Sequence, residues 1–498
     1  MMPRLTLERH ARPGIPSWPE FENRHAAPLY LSRRRYRKLV VLLDDDVLDD
    51  EAVTAWGKDY LLAGLLTLDV IECSRYADAG PPDNIPRRKH QFIGDSVPGW
   101  AVLSLDDGSG YHSVRTTTGD QVSNFGIFGN APDIAANDTR TGAYNTLDPA
   151  EAATRRRADA LAAMVANSIH ADLFISNRPY LHAVTWNLAD GVTIVGVDGA
   201  LAAIGMYLRA QDEYVTSRNP RGGGTHKMNR GLYFWVGTRE LLPSAWRWSA
   251  AFAQHATGGG DDKLSLLGQS VLQRTERALQ VRDDVHIGLN KPQDNDTADD
   301  ALSSLDVVLL LLMGAVDATV RVVHAVLELS SPARIAGLHK DKWIADVSRV
   351  APTLGALFAP GTNHAHALTI LRLLRNSIHG EALQPLGVVE NRKRDRTLVN
   401  LPASEEPRLR EAFMALGGLA NWGVEELIPG HLHFDPGVLL EELFPRVLAM
   451  LNDIMVQTPV ERLAHVTLPS TDLNPTVWRD SETFDEQFRQ SIRWQLGL

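Results

Sequence analysis

The chain has 498 residues, of which 44% are hydrophobic and 22% charged. That composition belongs to globular proteins and excludes global disorder, a collagen-like repeat and a disulfide-built scaffold. The net charge of −11 argues against general coating of nucleic acid and leaves room for a local basic site.

At roughly 100–200 residues per domain, the length predicts two or three domains. The single cysteine, Cys73, allows neither an internal disulfide nor a Cys-rich zinc site, and it fits a reducing compartment. The longest apolar run, Val307–Val316, falls short of the roughly 20 residues of a membrane span. The first residues carry no apolar core of a secretory signal. The expectation is a cytoplasmic protein without a membrane partner. Only nine of its 50 Lys and Arg residues are Lys. Arg grips a phosphate with two hydrogen bonds, so the bias matters chemically.

Residues 1–34 read as irregular, with Pro13, Pro16, Pro19 and Pro28. Lys38–Leu43 then forms an apolar run that ends in Asp44, Asp45 and Asp46, the pattern of a buried strand with acids at its C-terminal end. A helix over Asp49–Leu66 and a strand over Asp69–Cys73 follow. Residues 77–147 are rich in Gly, Pro, Asn and Thr around a strand-like Trp100–Leu105, which predicts short strands or an inserted lid. Asp148-Pro149-Ala150-Glu151 is a helix start: cap, Pro in the first turn, then an acid. Leu173–Ser176 and Val192–Val197 read as strands and Gly199–Arg209 as a helix. Alternating strands and helices predict an α/β domain with a mostly parallel sheet over 35–215.

Residues 216–239 form a Gly- and Arg-rich connector. Beyond it strand signals almost vanish, and 240–460 reads as an all-α bundle. Its helices are expected at Leu264–Val281, Asp306–Leu327, Arg334–Val350, His364–His379, Glu405–Leu419 and Pro436–Leu451. A tail over 461–498 ends in a surface helix, Trp478–Trp494. Trp246-Arg247-Trp248 suits either base stacking or packing between domains. His364 and His366 lack a neighbouring Cys or carboxylate to complete a metal site.

The most informative stretch is 364–381, HAHALTILRLLRNSIHGE. On a helix, Arg372 and His379 are two turns apart, and Arg375 and Asn376 lie one turn before His379, so all four share a side. Arg binds phosphate and His moves a proton near neutral pH. Together they suit attack on an RNA backbone by its own 2′-hydroxyl without a metal. The same residues also suit an ordinary amphipathic helix with Arg at its C-terminus ahead of Gly380. Arg392, Lys393, Arg394 and Arg396 follow in what reads as a loop, either a solvated charge run or an RNA-phosphate contact.

The 364–381 segment resembles the signature of the HEPN superfamily of helical RNases, an Arg followed after four to six residues by His. Arg372 fits with six intervening residues. Arg375-Asn376 matches the Arg-Asn form but lies one residue too close to His379. The resemblance implies a metal-independent endoribonuclease, a toxin or defence effector, whose motif pairs with a second one in a homodimer or in a second HEPN-like partner. In it His379 is the acid/base, Arg372 and Arg375 hold the phosphate, and Asn376 orients them. It also implies that some members bind without cutting, and it leaves room for a regulatory partner protein.

The N-terminal domain is similar to PIN-like nucleases. Asp44 stands where that fold places its first metal-binding acid, and HADLFISNRPYL (170–181) matches a later segment, with Asp172 as an acid and Asn177 where a second Asp is expected. Asp45, Asp69 and Glu72 are further candidates. The likeness implies Mg or Mn held by Asp44 and Asp172, weakened by Asn177.

Overall fold

The computed structural model describes residues 36–51, 57–78, 99–104, 112–118, 121–127, 129–186, 188–189, 191–220, 224–292, 294–378, 380, 382–390, 394–468 and 486–498. The irregular segment 1–34, His379, Arg392 and Lys393 therefore lie outside the described residues.

The N-terminal half is built on a seven-stranded sheet in the order β5-β4-β3-β2-β1-β6-β7. These strands are β1 (Leu39–Asp44), β2 (Ile71–Tyr76), β3 (Gly99–Ser104), β4 (His112–Thr118), β5 (Gln121–Ile127), β6 (Leu173–Ile175) and β7 (Thr193–Val195). The pairs from β3 through β7 by way of β2, β1 and β6 are parallel. β3–β4 and β4–β5 are antiparallel. Both faces of the parallel part are covered. Val41 and Leu43 pack with helices α1 (Lys58–Leu65) and α5 (Val197–Ala210) on one side. Leu42 and Phe174 pack with α3 (Pro149–Ser168) on the other. A strand buried on both sides must be apolar at every position, which is why LVVLL lacks alternation. The α3 start is capped as expected, Asp148 accepting a hydrogen bond from the Ala150 N–H at 2.9 Å. Short helices α2 (Ala131–Asn137) and α4 (Pro179–Ala183) flank α3. The 77–147 stretch supplies β3, β4 and β5, so its described part extends the sheet edge.

A hairpin, β8 (Val215–Arg218) and β9 (Thr225–Lys227), leads to the helical half. That half contains α6 (Arg230–Leu241), α7 (Ala245–Thr257), α8 (Lys263–Leu289), α9 (Asn295–Val326), α10 (Asp341–Val350), α11 (Pro352–Ala356), α12 (Asn363–Ser377), α13 (Glu406–Ala415) and α14 (Pro436–Gln457). α9 is its axis, packed on α8, α12 and α14. By length and composition α9 is the one helix among the described residues apolar enough to cross a membrane, and half of that window is buried inside the fold.

Two expectations are corrected here. The helical half is not all-α: β10 (Pro385–Glu390), β11 (Arg394–Asn400), β12 (Val424–Ile428) and β13 (His431–Phe434) form an antiparallel sheet in the order β10-β11-β13-β12. The segment carrying Arg394 and Arg396 is thus a strand. The terminal helix α15 (Glu486–Leu496) is not a surface helix. Ile492 and Leu496 are buried, and α15 wedges between α5 and α6. Gly205 on α5 and Gly237 on α6 make room: a Cβ at Gly205 would stand 2.6 Å from the Gln495 carbonyl, and one at Gly237 2.5 Å from Leu496. Arg209 donates to the Gln495 carbonyl at 2.7 Å, and Arg282 to that of Leu496 at 2.7 Å. Both cations sit at the negative end of the helix dipole. Arg209 also forks onto Asp283 of α8, at 2.6 and 2.9 Å, so one Arg ties α5, α8 and α15 together.

Trp248 is buried with its indole N–H on the Met455 carbonyl, and Arg247 pairs with Glu461, so this motif packs inside the helical half. His364 meets Asp453 at 2.9 Å.

Candidate functional site

Helix α12 starts where Thr362 accepts a hydrogen bond from the Ala365 N–H. Its Leu368, Leu371 and Leu374 are buried, and the helix is packed by α9, α13 and α14. Apolar packing on most sides leaves the end of the helix as its accessible part. There Arg372 and Arg375 are half-buried and Asn376 is exposed. Arg375 Nη1 donates to Asn376 Oδ1 at 3.3 Å, while its buried Nε has no hydrogen-bond partner among the described residues. Among the described residues neither guanidinium is ion-paired. The structure brings Arg372, Arg375 and Asn376 to one helix end; His379 follows two residues after Ser377, outside the described residues.

Two residues that the motif does not include join this cluster. Burial and the nearby Arg408 lower the Arg372 pKa below the usual guanidinium value. His339, in the turn before α10, has its pKa lowered by partial desolvation and by the positive charges of Lys340 and Arg372, against a smaller opposite effect of Asp317. Arg372 and the His339 imidazole thus share a charged neighbourhood with Lys340 and Asp317 and with Arg408, which pairs with Glu405 at 3.1 Å. His339 precedes Arg372 by about thirty residues, so helical spacing gave no signal for it.

The proposed RNA-phosphate cations divide. Arg396 pairs with Glu425 at 2.7 Å and is committed to the β-sheet. Arg394 lies on β11, and Arg392 and Lys393 fall outside the described residues.

In the α/β half the candidate acids lie at both ends of the sheet. β1 and β6 are neighbours, while the chain leaves β1 toward β2 on the other side. This makes the C-terminal end of β1 and β6 the topological switch point, the usual ligand crevice of such sheets. Asp44 ends β1 there, buried. Arg178, just beyond β6, donates to it from Nε at 2.6 Å and Nη2 at 3.0 Å, and Ser176 Oγ donates at 2.8 Å. The same guanidinium reaches Asp78 at 3.2 Å and Asp159 at 3.5 Å. Asp45 is buried against Arg75, which lies 4.6 Å over the Trp100 ring. Asn177 donates to Asp50 at 3.0 Å.

Asp172 stands at the opposite end. It precedes β6, receives the Val40 N–H at 2.9 Å and pairs with Arg37. Glu72 is level with Val40, and Asp69 precedes β2. Four residues of strand separate Asp44 from the level of Asp172, about 13 Å. The structure therefore does not bring Asp44 and Asp172 into one metal site. The guanidinium of Arg178 is bonded to Asp44, Asp78 and Asp159 and occupies the position between them. Among the described residues no group of three His, Cys, Asp or Glu side chains is placed to hold a metal ion.

Compared with protein-family models, curated proteins and solved structures, the chain matches none of them.

Proposed function

We propose that the protein is a metal-independent endoribonuclease of HEPN type, working at the end of α12, with the α/β half as its regulatory domain. The observation that carries this reading is the pair of guanidiniums at the end of α12, Arg372 and Arg375, neither of them ion-paired among the described residues, with the His339 imidazole near Arg372. Unpaired Arg at a helix end is a receptor for a phosphodiester. RNA brings its own nucleophile. The 2′-oxygen bonds to phosphorus, its proton passes to a base, the P–O5′ bond breaks, and the leaving 5′-oxygen takes a proton from an acid. His379 serves as acid/base, Arg372 and Arg375 stabilise the charge on phosphorus, and Asn376 orients Arg375. A second copy of the chain supplies the second motif. A toxin or defence role follows from the HEPN resemblance.

The test is incubation of purified protein with RNA in EDTA. Expected are products with 2′,3′-cyclic phosphate and 5′-hydroxyl ends. A second reading makes the α/β half a metal-dependent nuclease, favoured by Asp44 at the switch point; it requires Arg178 to leave Asp44, and EDTA would then abolish cleavage. RNA binding without cleavage under any condition would instead mark a binding scaffold.

A further inference from the structure

We propose that the cavity where the α/β half meets the helical half is a binding site for a guanine nucleoside, free or as its monophosphate. The cavity measures about 530 Å³, the size of a small-molecule pocket. Arg209 and Asp212 reach it from the end of α5 and the turn after it, and Tyr214 from just before β8. Arg230 and Phe234 reach it from α6. α8 supplies one stripe, Gln280, Asp283, Asp284, Ile287 and Lys291, and α9 adds Asp300, Ser303 and Ser304.

The chemistry converges on Tyr214. The residue is 7% exposed, its ring set against Tyr233 and Phe234 at centroid distances of 5.5 and 6.0 Å. It lines the cavity, and among the described residues its hydroxyl has no hydrogen-bond partner. A buried hydroxyl is ordinarily partnered, so this one is met by what enters the cavity. Burial pushes the phenol up to about 12, so it stays a neutral donor, and Arg230, Asp212, Asp283 and Arg209 all act on it. Arg209 and Asp283 are committed to each other, at 2.6 and 2.9 Å. Arg230 and Asp212 are not: among the described residues neither is ion-paired, with the other or with any third group. An Arg and an Asp that act on one hydroxyl and do not meet leave room for a molecule that offers acceptors to one and donors to the other.

Guanine is the base with that pattern. Its N7 and O6 are acceptors side by side, the pair that a guanidinium fork takes in two hydrogen bonds. Its N1–H and its N2 amino group are donors side by side, which a carboxylate takes in the same way. O6 lies between the two edges, where the Tyr214 hydroxyl donates. Adenine presents an amino group to the Arg and an N1 acceptor to the Asp, like facing like in both places. Tyr36, 37% exposed, adds a ring on which the base can stack.

The rest of the cavity fits the sugar. Ser303 and Ser304 offer hydroxyls there, and Lys291, which pairs with Asp300 at 4.0 Å, lies eight residues beyond Asp283 on α8, about 12 Å further along. Arg209, Arg230 and Lys291 stand against Asp212, Asp283, Asp284 and Asp300, three cations to four carboxylates. That balance disfavours a polyphosphate and suits a nucleoside with at most one phosphate, beside Lys291. A polyamine would leave Arg230 without an acceptor, and a free amino acid would fill little of the space.

The site does not depend on the ribonuclease reading, and its test reads binding, not cleavage. Isothermal titration calorimetry of the full chain with guanosine, GMP and AMP is the measurement. Guanosine and GMP should bind, and AMP at least about 10-fold more weakly, the discrimination of one bidentate base contact. Arg230→Met and Asp212→Asn should each weaken GMP by at least about 10-fold. Asn suits the left-handed backbone of Asp212, φ 57°, and Arg230 is exposed, so both variants should match the wild type by circular dichroism. Tyr214→Phe should weaken GMP less than either. Arg372→Ala should bind GMP as the wild type does. The proposal is overturned if neither guanosine nor GMP binds at millimolar concentration, if AMP binds as tightly as GMP, or if GMP binding survives both Arg230→Met and Asp212→Asn. GMP binding lost in Arg372→Ala and kept in Arg230→Met would move the ligand to the end of α12 and overturn it as well.

Discussion

Arg178 holds Asp44 through two parallel hydrogen bonds, Nε to Oδ2 at 2.6 Å and Nη2 to Oδ1 at 3.0 Å. The two side chains are 14% and 3% exposed. This fork is what permits a carboxylate at the buried end of β1. Removing one partner leaves a buried charge uncompensated, a cost of about 3–5 kcal/mol. Arg178→Met should lower unfolding stability by roughly that amount. Asp44→Asn/Arg178→Met together should recover part of the loss, because Asp44 then carries no bare charge while Asp78 and Asp159 still lack their guanidinium. Urea denaturation of the single and double variants checks it, and simple additivity would show that the pair is not coupled.

Asp159 adds a pH signature to the same cluster. Burial raises its pKa to about 6, against the opposing hydrogen bond from Tyr144 at 2.8 Å and the charge of Arg178. The folded pKa thus lies above the unfolded value of about 3.9. As pH falls from about 6 to about 4 the folded state takes up the proton first, so this group's contribution to stability rises as pH falls. Asp159→Asn should remove that contribution. The difference in stability between wild type and variant, followed by denaturation from pH 7 to pH 4, should shift in favour of the wild type as pH falls. A flat difference would mean that Asp159 titrates as an ordinary carboxylate.

Much of the α/β half was legible in the sequence because its strands and helices carry strong local patterns. Lys38–Leu43 is apolar throughout, and Asp148-Pro149 marks a helix start. The antiparallel edge was harder to read. His112–Thr118 and Gln121–Ile127 are polar, and their pairing is decided by neighbouring strands. The β10–β13 sheet escaped because its strands are short and lie among helices. α15 reads as a surface helix because Arg489 and Gln495 are polar, yet both are buried, Arg489 by pairing with Glu240 at 3.1 Å. At the candidate sites, periodicity placed Arg372, Arg375 and Asn376 together. It is blind to contacts between distant segments, so His339 and Arg408 went unseen. Arg178 was visible beside Asn177, but only the fold shows that it reaches back to β1.

The close seat of α15 gives a structural prediction. A Cβ on Gly205 would stand 2.6 Å from the Gln495 carbonyl and 2.7 Å from the Gln495 Cβ. Backbone that near cannot yield as a flexible side chain would. Gly205→Val should displace α15, expose Ile492 and Leu496, and leave Arg209 and Arg282 without two of their acceptors. Overpacking of this kind costs about 1–3 kcal/mol, before the lost hydrogen bonds. Limited proteolysis with mass spectrometry should then show early cuts in the last twenty residues. Wild-type resistance in the variant would mean that α15 is not wedged between α5 and α6.

The last prediction separates the roles at the end of α12. Arg372 and Arg375 stay charged throughout the neutral range and can only bind, whereas imidazole can give and take a proton. His379→Ala should therefore slow RNA cleavage by ~10²–10⁴-fold with RNA affinity nearly unchanged. Arg372→Ala and Arg375→Ala should weaken binding and rate together, and the larger loss identifies the motif Arg. His339 offers an internal control. If it only tunes the local charge, His339→Gln should change the rate modestly and leave the pH profile in place. If it is the proton-transfer group, His339→Gln should carry the large loss and abolish the neutral-range inflection, and His379→Ala should not. His339 lies in the turn before α10, so a melting temperature close to wild type is expected for His339→Gln, and the melting temperature of His379→Ala, measured beside it, shows whether its loss of rate can be assigned to chemistry. A His379→Ala protein that is folded and cleaves at the wild-type rate would remove this residue from the mechanism.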